Sequence, residues 1–132
     1  MNDSVDLTVQ ECRALLADAT VGRVALCTPA GPRIVPVSYV LHDDAIIFRT
    51  AAYTELGTYG RGSEVAFEVD RLDEGNHRGW SVVAAGGVVV IDDPDEVAEI
   101  RAAHEPAPWV AGQRHLYCRL QWRTLTGRRV GR

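Results

Sequence analysis

The chain has 132 residues, enough for one domain with a single core, and carries a formal net charge of −4 at pH 7. All of its 14 basic residues are arginine, and the negative balance argues against a protein that binds nucleic acid through phosphate contacts. We expect no membrane segment, since no apolar run could span a bilayer. The start of the chain lacks the features of a secretion signal, so the expected location is the cytoplasm.

A capped helix is the first predicted element. Thr8 and Glu11 have the spacing of a capping box, in which each side chain bonds the other residue's backbone. Apolar residues then recur at helical spacing, which predicts a helix with one buried face over residues 9–18.

The next segments predict β-structure. Residues 22–28 and 33–41 have the composition of strands and flank a turn rich in proline and glycine, which predicts a hairpin. Pro36 is expected on an edge or at a bulge, because proline has no N–H to donate to a ladder. A third strand is predicted over residues 45–50 and a short helix over residues 54–61.

Longer strands dominate the second half. Strict alternation predicts a half-buried strand over residues 65–70, and a polar loop is expected over residues 72–79. A long strand follows at residues 80–91, with a bulge or sharp bend at Gly86 and its neighbouring glycine. The last strand, or pair of strands, is expected over residues 115–130.

A second helix is predicted after the acidic segment at residues 92–95, which separates the last two strand regions. Six strands with peripheral helices and no alternation of parallel strands and helices predict one α+β domain over residues 1–132, a barrel or a sandwich. The chain has no paired Cys/His motif and no nucleophile elbow, so neither a metal site nor a catalytic side chain is predicted. Any redox chemistry would then come from a bound cofactor.

Cys27 and Cys118 lie in apolar runs and are expected in the core as small apolar residues.

Six short segments carry a resemblance when taken in order. Together they resemble the pyridoxamine 5'-phosphate oxidase-like, FMN-binding split-barrel family, in its short actinobacterial form. They are residues 32–39 (PRIVPVSY), 47–50 (IFRT), 65–70 (VAFEVD), 79–82 (GWSV), 108–109 (PW) and 126–129 (TGRR).

The resemblance implies a six-stranded antiparallel split β-barrel that forms a homodimer, with flavin sites between the two copies. It implies FMN as the cofactor, and transfer of hydride or electrons to a small-molecule acceptor without a catalytic side chain.

The resemblance also implies which residues would contact the cofactor. The strand at residues 33–38 would follow the flavin ring and ribityl chain, and the segment at residues 49–54 would hold the phosphate. Trp80 and Ser81 would reach the ring edge, and Trp109 would approach the ring from the partner copy. The complete set is Arg33, Val35, Val37, Ser38, Arg49, Thr50, Thr54, Trp80, Ser81 and Trp109. Val35 and Val37 are equally typical of an apolar core, and Trp80 is more typical of a core than of a cofactor contact.

Glu55 departs from the family pattern. Relatives commonly carry lysine at this position, beside the phosphate, and a carboxylate there would repel a phosphate. Two alternatives therefore stay open beside FMN. One is a deazaflavin-dependent reductase on the same fold, and the other is a non-catalytic flavin-binding or sensing module with a weakened phosphate site.

Overall fold

Seven antiparallel strands, two α-helices and one π-helical turn make up the part of the chain that the computed structural model describes, residues 4–103 and 116–131. The strands are β1 (Ser4–Asp6), β2 (Val21–Thr28), β3 (Gly31–His42), β4 (Ala45–Thr50), β5 (Glu64–Asp73), β6 (Arg78–Val90) and β7 (Leu116–Val130). The helices are α1 (Val9–Asp18) and α2 (Pro94–Ala103), and the π-helical turn is Leu56–Gly60. Within these residues, no helix has the length and hydropathy needed to cross a membrane.

The sheet closes into a barrel. Its strands follow the order β1-β7-β4-β3-β2-β5-β6, and an additional pairing of β6 with β7 joins the ends. Six strands, β2 to β7, therefore form the ring, while β1 adds to the outer side of β7. This architecture confirms the predicted α+β split barrel, but the prediction of six strands was wrong by one. The missed strand β1 has three residues, all exposed, and so carries no apolar alternation.

The barrel interior is filled by the inward residues of every ring strand. Val24, Phe48, Phe67, Val82 and Leu120 are fully buried, and each apolar side chain of this kind contributes about 1.5–3 kcal/mol by burial. The edge of the Tyr39 ring meets the Phe67 ring, with centroids 4.9 Å apart and an interplanar angle of 76°. The core therefore lies inside the closed ring of strands, and α1 covers it on one side.

Helix α1 covers one side of the barrel, as its capping box and apolar face predict. Thr8 and Glu11 exchange both bonds of the box. Cys12 and Leu16 are buried, and the Tyr39 hydroxyl donates to the Leu16 carbonyl. A Cβ at Gly127 would lie only 2.7 Å from the Cys12 sulfur, so glycine allows the helix to approach β7 closely.

Other expectations are confirmed in β3 and β6. Pro36 pairs only with Arg23 of β2 among the described residues, since β4 joins β3 from Tyr39 onward; Pro36 is thus on an edge. A register shift between Ala85 and Gly86 marks the predicted bulge.

Two expectations about the elements need correction. The helix predicted over residues 54–61 is one π-helical turn, Leu56–Gly60. The polar loop predicted at residues 72–79 is mostly strand, because β5 and β6 stay paired out to Asp73 and Arg78. The final segment was predicted as one strand or a pair, and the structure has one strand, which pairs with β1, β4 and β6.

The two cysteines expected in the core differ. Cys118 is buried, and burial raises the pKa of its thiol to about 12. Cys27 is exposed, so the expectation for it was wrong. Its neighbour Leu26 takes the inward position, and alternation turns Cys27 outward.

Candidate functional site

Arg33 lies at the end of β3 beside the turn that follows β4. Its Nε is 3.1 Å from Oε1 of Glu55, so the cation is held by an internal carboxylate. The pair links β3 to residues 50–58, which we call the 50–58 turn. Both side chains remain partly open to solvent. A phosphate could reach Arg33 here only in competition with Glu55.

The hydroxyls of Thr50 and Thr54 build the 50–58 turn. The Thr54 hydroxyl donates to the Ala51 carbonyl and accepts from the Gly57 backbone N–H at 3.0 Å. Because its single hydrogen is used, the 2.9 Å contact with Thr50 requires Thr50 to donate. The Thr54 hydroxyl thus donates one hydrogen bond and accepts two, which is all that a hydroxyl can form. Thr50 is buried, and its hydroxyl hydrogen is donated to Thr54.

The rest of the turn is equally self-contained. A Cβ at Gly57 would stand 2.0 Å from the Ala51 carbonyl oxygen, so only glycine allows the turn to fold back on the end of β4. The Thr58 hydroxyl donates to the Ala52 carbonyl. Thr50 and Thr54 therefore hold the backbone in place and offer no spare hydroxyl hydrogen to a ligand.

Arg49 belongs to β4, next to Thr50. Its guanidinium lies over the ring of Tyr117, 5.1 Å from the ring centroid. The two residues are paired across β4 and β7, which explains the stacking. Arg49 is therefore near the 50–58 turn, with its charge directed to an aromatic face.

The remaining predicted residues of β3 follow the strand away from this turn. Val35 and Val37 are half-buried and pack against the main core, as apolar inward residues do. Ser38 is half-buried and pairs with Val21 of β2. Alternation along the strand turns it to the face opposite Val35 and Val37.

Trp80 and Ser81 lie elsewhere on the sheet. Trp80 pairs with Arg71 and Arg129, at the far ends of β5 and β7. By contrast, Ile34, the neighbour of Arg33 on β3, lies in a row that passes through Ala25 and Ala66 to Ala85 on β6, next to Gly86. Gly86 is six residues from Trp80, which is about 20 Å along a strand.

The predicted residues therefore form two separate groups in one copy of the chain. Trp109, predicted to approach the ring from a partner copy, lies outside the described residues.

Trp80 and Ser81 also border concave surface. A groove of about 340 Å³ contains Trp80 together with arginines of β5, β6 and β7. A neighbouring depression of about 280 Å³ contains both Trp80 and Ser81. The sequence singled out Trp80 and the segment that contains Arg129, but it gave no signal for Arg71 and Arg78, which lie on the hairpin of β5 and β6.

The structure also brings together a charged cluster that the sequence did not reveal. Nε2 of His42 lies 3.5 Å from an oxygen of Asp43 and 3.9 Å from an oxygen of Glu99. These ligand-type atoms all lie within 4.8 Å of one another. The cluster joins the turn after β3 to α2, and its two carboxylates are exposed.

An acidic pair with one arginine lies on the outer face of the barrel. Arg23 is 3.4 Å from Glu68 and 3.6 Å from Asp70. Burial, and then the hydrogen bond and charge of Asp70, raise the pKa of Glu68 to about 7, against the opposing effect of Arg23. The carboxyl of Glu68 is therefore expected to titrate near neutral pH.

Comparison with known proteins identifies the family. The family model described as pyridoxamine 5'-phosphate oxidase matches residues 8–129. The chain belongs to this family. The match confirms the resemblance found in the sequence, and it spans the barrel from the cap of α1 to the end of β7.

Proteins with similar sequences and structures come from several bacteria. An uncharacterised protein of Mycobacterium tuberculosis is 33% identical, with 96% of this chain and 85% of that protein covered. An FAD-binding protein of Mycobacterium smegmatis is 27% identical, with a TM-score of 0.74 and coverage of 96% of this chain and 98% of that one. A conserved protein of unknown function from Corynebacterium diphtheriae is 29% identical, with a TM-score of 0.78 and coverage of 95% and 96%.

Proposed function

We propose that this chain is a cytoplasmic flavin-binding oxidoreductase that uses FMN to pass hydride or electrons to a small acceptor. Support comes from its membership of the pyridoxamine 5'-phosphate oxidase family and its similarity to an FAD-binding protein. A bound flavin supplies the redox chemistry, while the protein binds and orients it.

The single observation that carries this proposal is the match to the family over residues 8–129. The 50–58 turn offers only a partial fit to a flavin phosphate, because the Thr50 and Thr54 hydroxyls are satisfied internally. Arg33 is the residue that would hold the phosphate, and the phosphate would replace the Glu55 carboxylate as the partner of its guanidinium. Val35 and Val37 would give the ring an apolar border only where they reach the surface.

The proposed flavoenzyme is a homodimer. An apolar row crosses the outer face of the sheet, where Ile34 pairs with Ala25, Ala25 with Ala66, and Ala66 with Ala85. Ile34 is 71% exposed in a single copy. A second copy covering this row would remove apolar surface from water and bring a second set of site residues near the first.

The first test is a flavin titration. The purified protein is examined for visible absorption and then titrated separately with FMN and FAD, with flavin fluorescence as the readout. We expect saturation at one flavin per chain. Arg33→Gln should weaken binding about tenfold, since a hydrogen bond between charged groups is lost. The matched control is Arg13→Gln, which removes a cation of α1 that pairs with Asp44. It should leave the flavin affinity unchanged.

The ion pair between Glu55 and Arg33 also favours a second candidate function, a flavin-binding or sensing module with weakened phosphate affinity. The titration separates the candidates. A protein that binds neither flavin but binds a deazaflavin would be a deazaflavin-dependent member of the family. A protein that ignores all three, even after Glu55→Lys, would overturn the flavin proposal.

A further inference from the structure

In the groove that contains Trp80, arginine side chains surround an aromatic ring. Strand register places Arg71 on one side of Trp80 and Arg129 on the other. Neighbouring strands lie about 4.8 Å apart, so both arginines flank the tryptophan directly. The groove has a volume of about 340 Å³, within the range of small-molecule sites.

The floor of the groove is apolar. Trp80 is half-buried and packs against the main core, which fixes its ring. Leu72 is 65% exposed and lines the same groove, together with Val130. A flat apolar molecule placed here would cover surface that the single chain leaves in water.

The rim of the groove is cationic in a chain whose net charge is negative. Arg71, Arg78 and Arg129 line it against one acid, Asp73. Asp73 already accepts from Asn76 and lies 4.0 Å from Arg78. Within residues 4–103 and 116–131, the side chains of Arg71 and Arg129 form no hydrogen bond or ion pair. Arg129 interacts with Glu11 through charge alone, so both guanidinium groups can engage an anion.

We propose that this groove binds a planar aromatic molecule that carries negative groups, with the chemistry of a nucleotide. The aromatic ring would stack on Trp80, and its phosphates would take hydrogen bonds from Arg71 and Arg129. Within one copy, Trp80 is about 20 Å along β6 from the row beside Arg33. Binding in the groove does not depend on flavin binding at the 50–58 turn.

The test uses ADP as the probe in isothermal titration calorimetry with the full chain. Adenosine offers the ring without charge, and pyrophosphate offers charge without the ring. We expect ADP to bind about tenfold tighter than either, because it alone uses both the floor and the rim. Equal affinity for ADP and pyrophosphate would overturn the stacking role of Trp80, and absence of ADP binding would overturn the site.

Variants identify the residues. Arg71→Gln and Arg129→Gln should each weaken ADP binding about tenfold, and both positions are exposed, so the fold should tolerate them. Arg123→Gln is the matched control, since it removes the same charge from β7 outside the groove, where Arg123 pairs with Glu64. An equal loss in the control would show a general charge effect and contradict the proposal.

A final arm repeats the ADP titration with FMN present in excess. Unchanged ADP affinity supports two separate sites. Competition between the ligands would overturn the separation and make the groove part of one flavin site. Failure of the flavin proposal alone gives a different result. ADP would still bind, but the fluorescence of FMN would not change when the protein is added.

Discussion

Glu55 controls the charge available to a ligand at the 50–58 turn. Because its carboxylate holds Arg33 at 3.1 Å, a phosphate meets a repulsive charge and a cation that is already paired. We predict that Glu55→Lys strengthens FMN binding about tenfold, since it removes the repulsion and releases Arg33. Fluorescence titration of both proteins at the same ionic strength measures the change.

The matched control for this prediction is Asp18→Lys, which reverses the same charge on the exposed end of α1. It should leave FMN affinity within about twofold, because exposed charges at a distance are screened by salt. If Glu55→Lys and Asp18→Lys give the same affinity, the ion pair with Arg33 does not govern the site.

Glu68 should make the stability of the protein depend on pH. Its pKa is raised from the ordinary value of 4.5 to about 7 by burial and by Asp70. A raised pKa means that the folded state binds the proton more tightly than the unfolded state. The associated stability is present below about pH 4.5 and is lost as pH rises through about 7.

We therefore predict that Glu68→Gln reduces the fall in Tm between pH 5 and pH 8. The expected reduction is about 2 °C, because the side chain is a third exposed and solvent screens its charge. Thermal melts at both pH values measure it. Glu74→Gln, in the exposed turn between β5 and β6, is the control and should keep the pH dependence of the parent protein. A fall in Tm that is the same in the parent and Glu68→Gln would contradict the raised pKa.

At the scale of the strand, glycines report how tightly the barrel is packed. A Cβ at Gly22 of β2 would stand 2.2 Å from the Phe67 ring, which is fully buried against Tyr39. Gly22→Ala should therefore cost about 1–3 kcal/mol of unfolding free energy, the usual cost of overpacking a core. Urea denaturation at constant pH measures this loss.

Gly87 of β6 provides the comparison, because a Cβ there meets nothing within 4 Å. Gly87→Ala should change the unfolding free energy by no more than about 0.5 kcal/mol. If both variants are equally stable, the Phe67 ring can move without cost and the packing argument fails.

Elements whose residues show a local sequence pattern were predicted correctly. The capping box and apolar face of α1, the alternation of β5 and the glycine bulge of β6 are all readable from neighbouring residues. Strand β1 and the outer ends of β5 and β6 were missed, because exposed strand residues show no alternation and depend on pairing for their structure. The π-helical turn depends on the approach of Gly57 to the Ala51 carbonyl, a contact that spacing alone does not reveal.

The candidate site was less predictable than the fold for a similar reason. The four-residue spacing of Thr50 and Thr54 agrees with their contact, but a sequence does not tell whether those hydroxyls face a ligand or each other. Arg33 and Glu55 are 22 positions apart and meet only through the barrel. Arg71, Trp80 and Arg129 come from three strands, so only the register joins them.

At the scale of the whole molecule, one copy exposes an apolar face of its sheet. The outer row from Ile34 to Ala85 is apolar and crosses four strands, and Val83 and Cys27 on the same face are also exposed. Arg33, the expected phosphate contact, adjoins Ile34 at the end of this row. A dimer formed through this face would bring the 50–58 turn of one copy close to the boundary with the other.

We predict that Ile34→Asp weakens dimerisation at least tenfold, because each copy would then place a carboxylate in an apolar contact. Sedimentation velocity over a range of protein concentrations measures the change. Val9→Asp is the control, because it puts the same charge on an exposed valine in the first turn of α1, where a carboxylate is favourable. If the flavin site is shared between two copies, flavin affinity should fall with dissociation in Ile34→Asp and stay unchanged in Val9→Asp.

A parent protein that sediments as a monomer, or an Ile34→Asp variant that remains dimeric, would exclude this face as the interface. Flavin binding by a monomer would place the whole site within one copy.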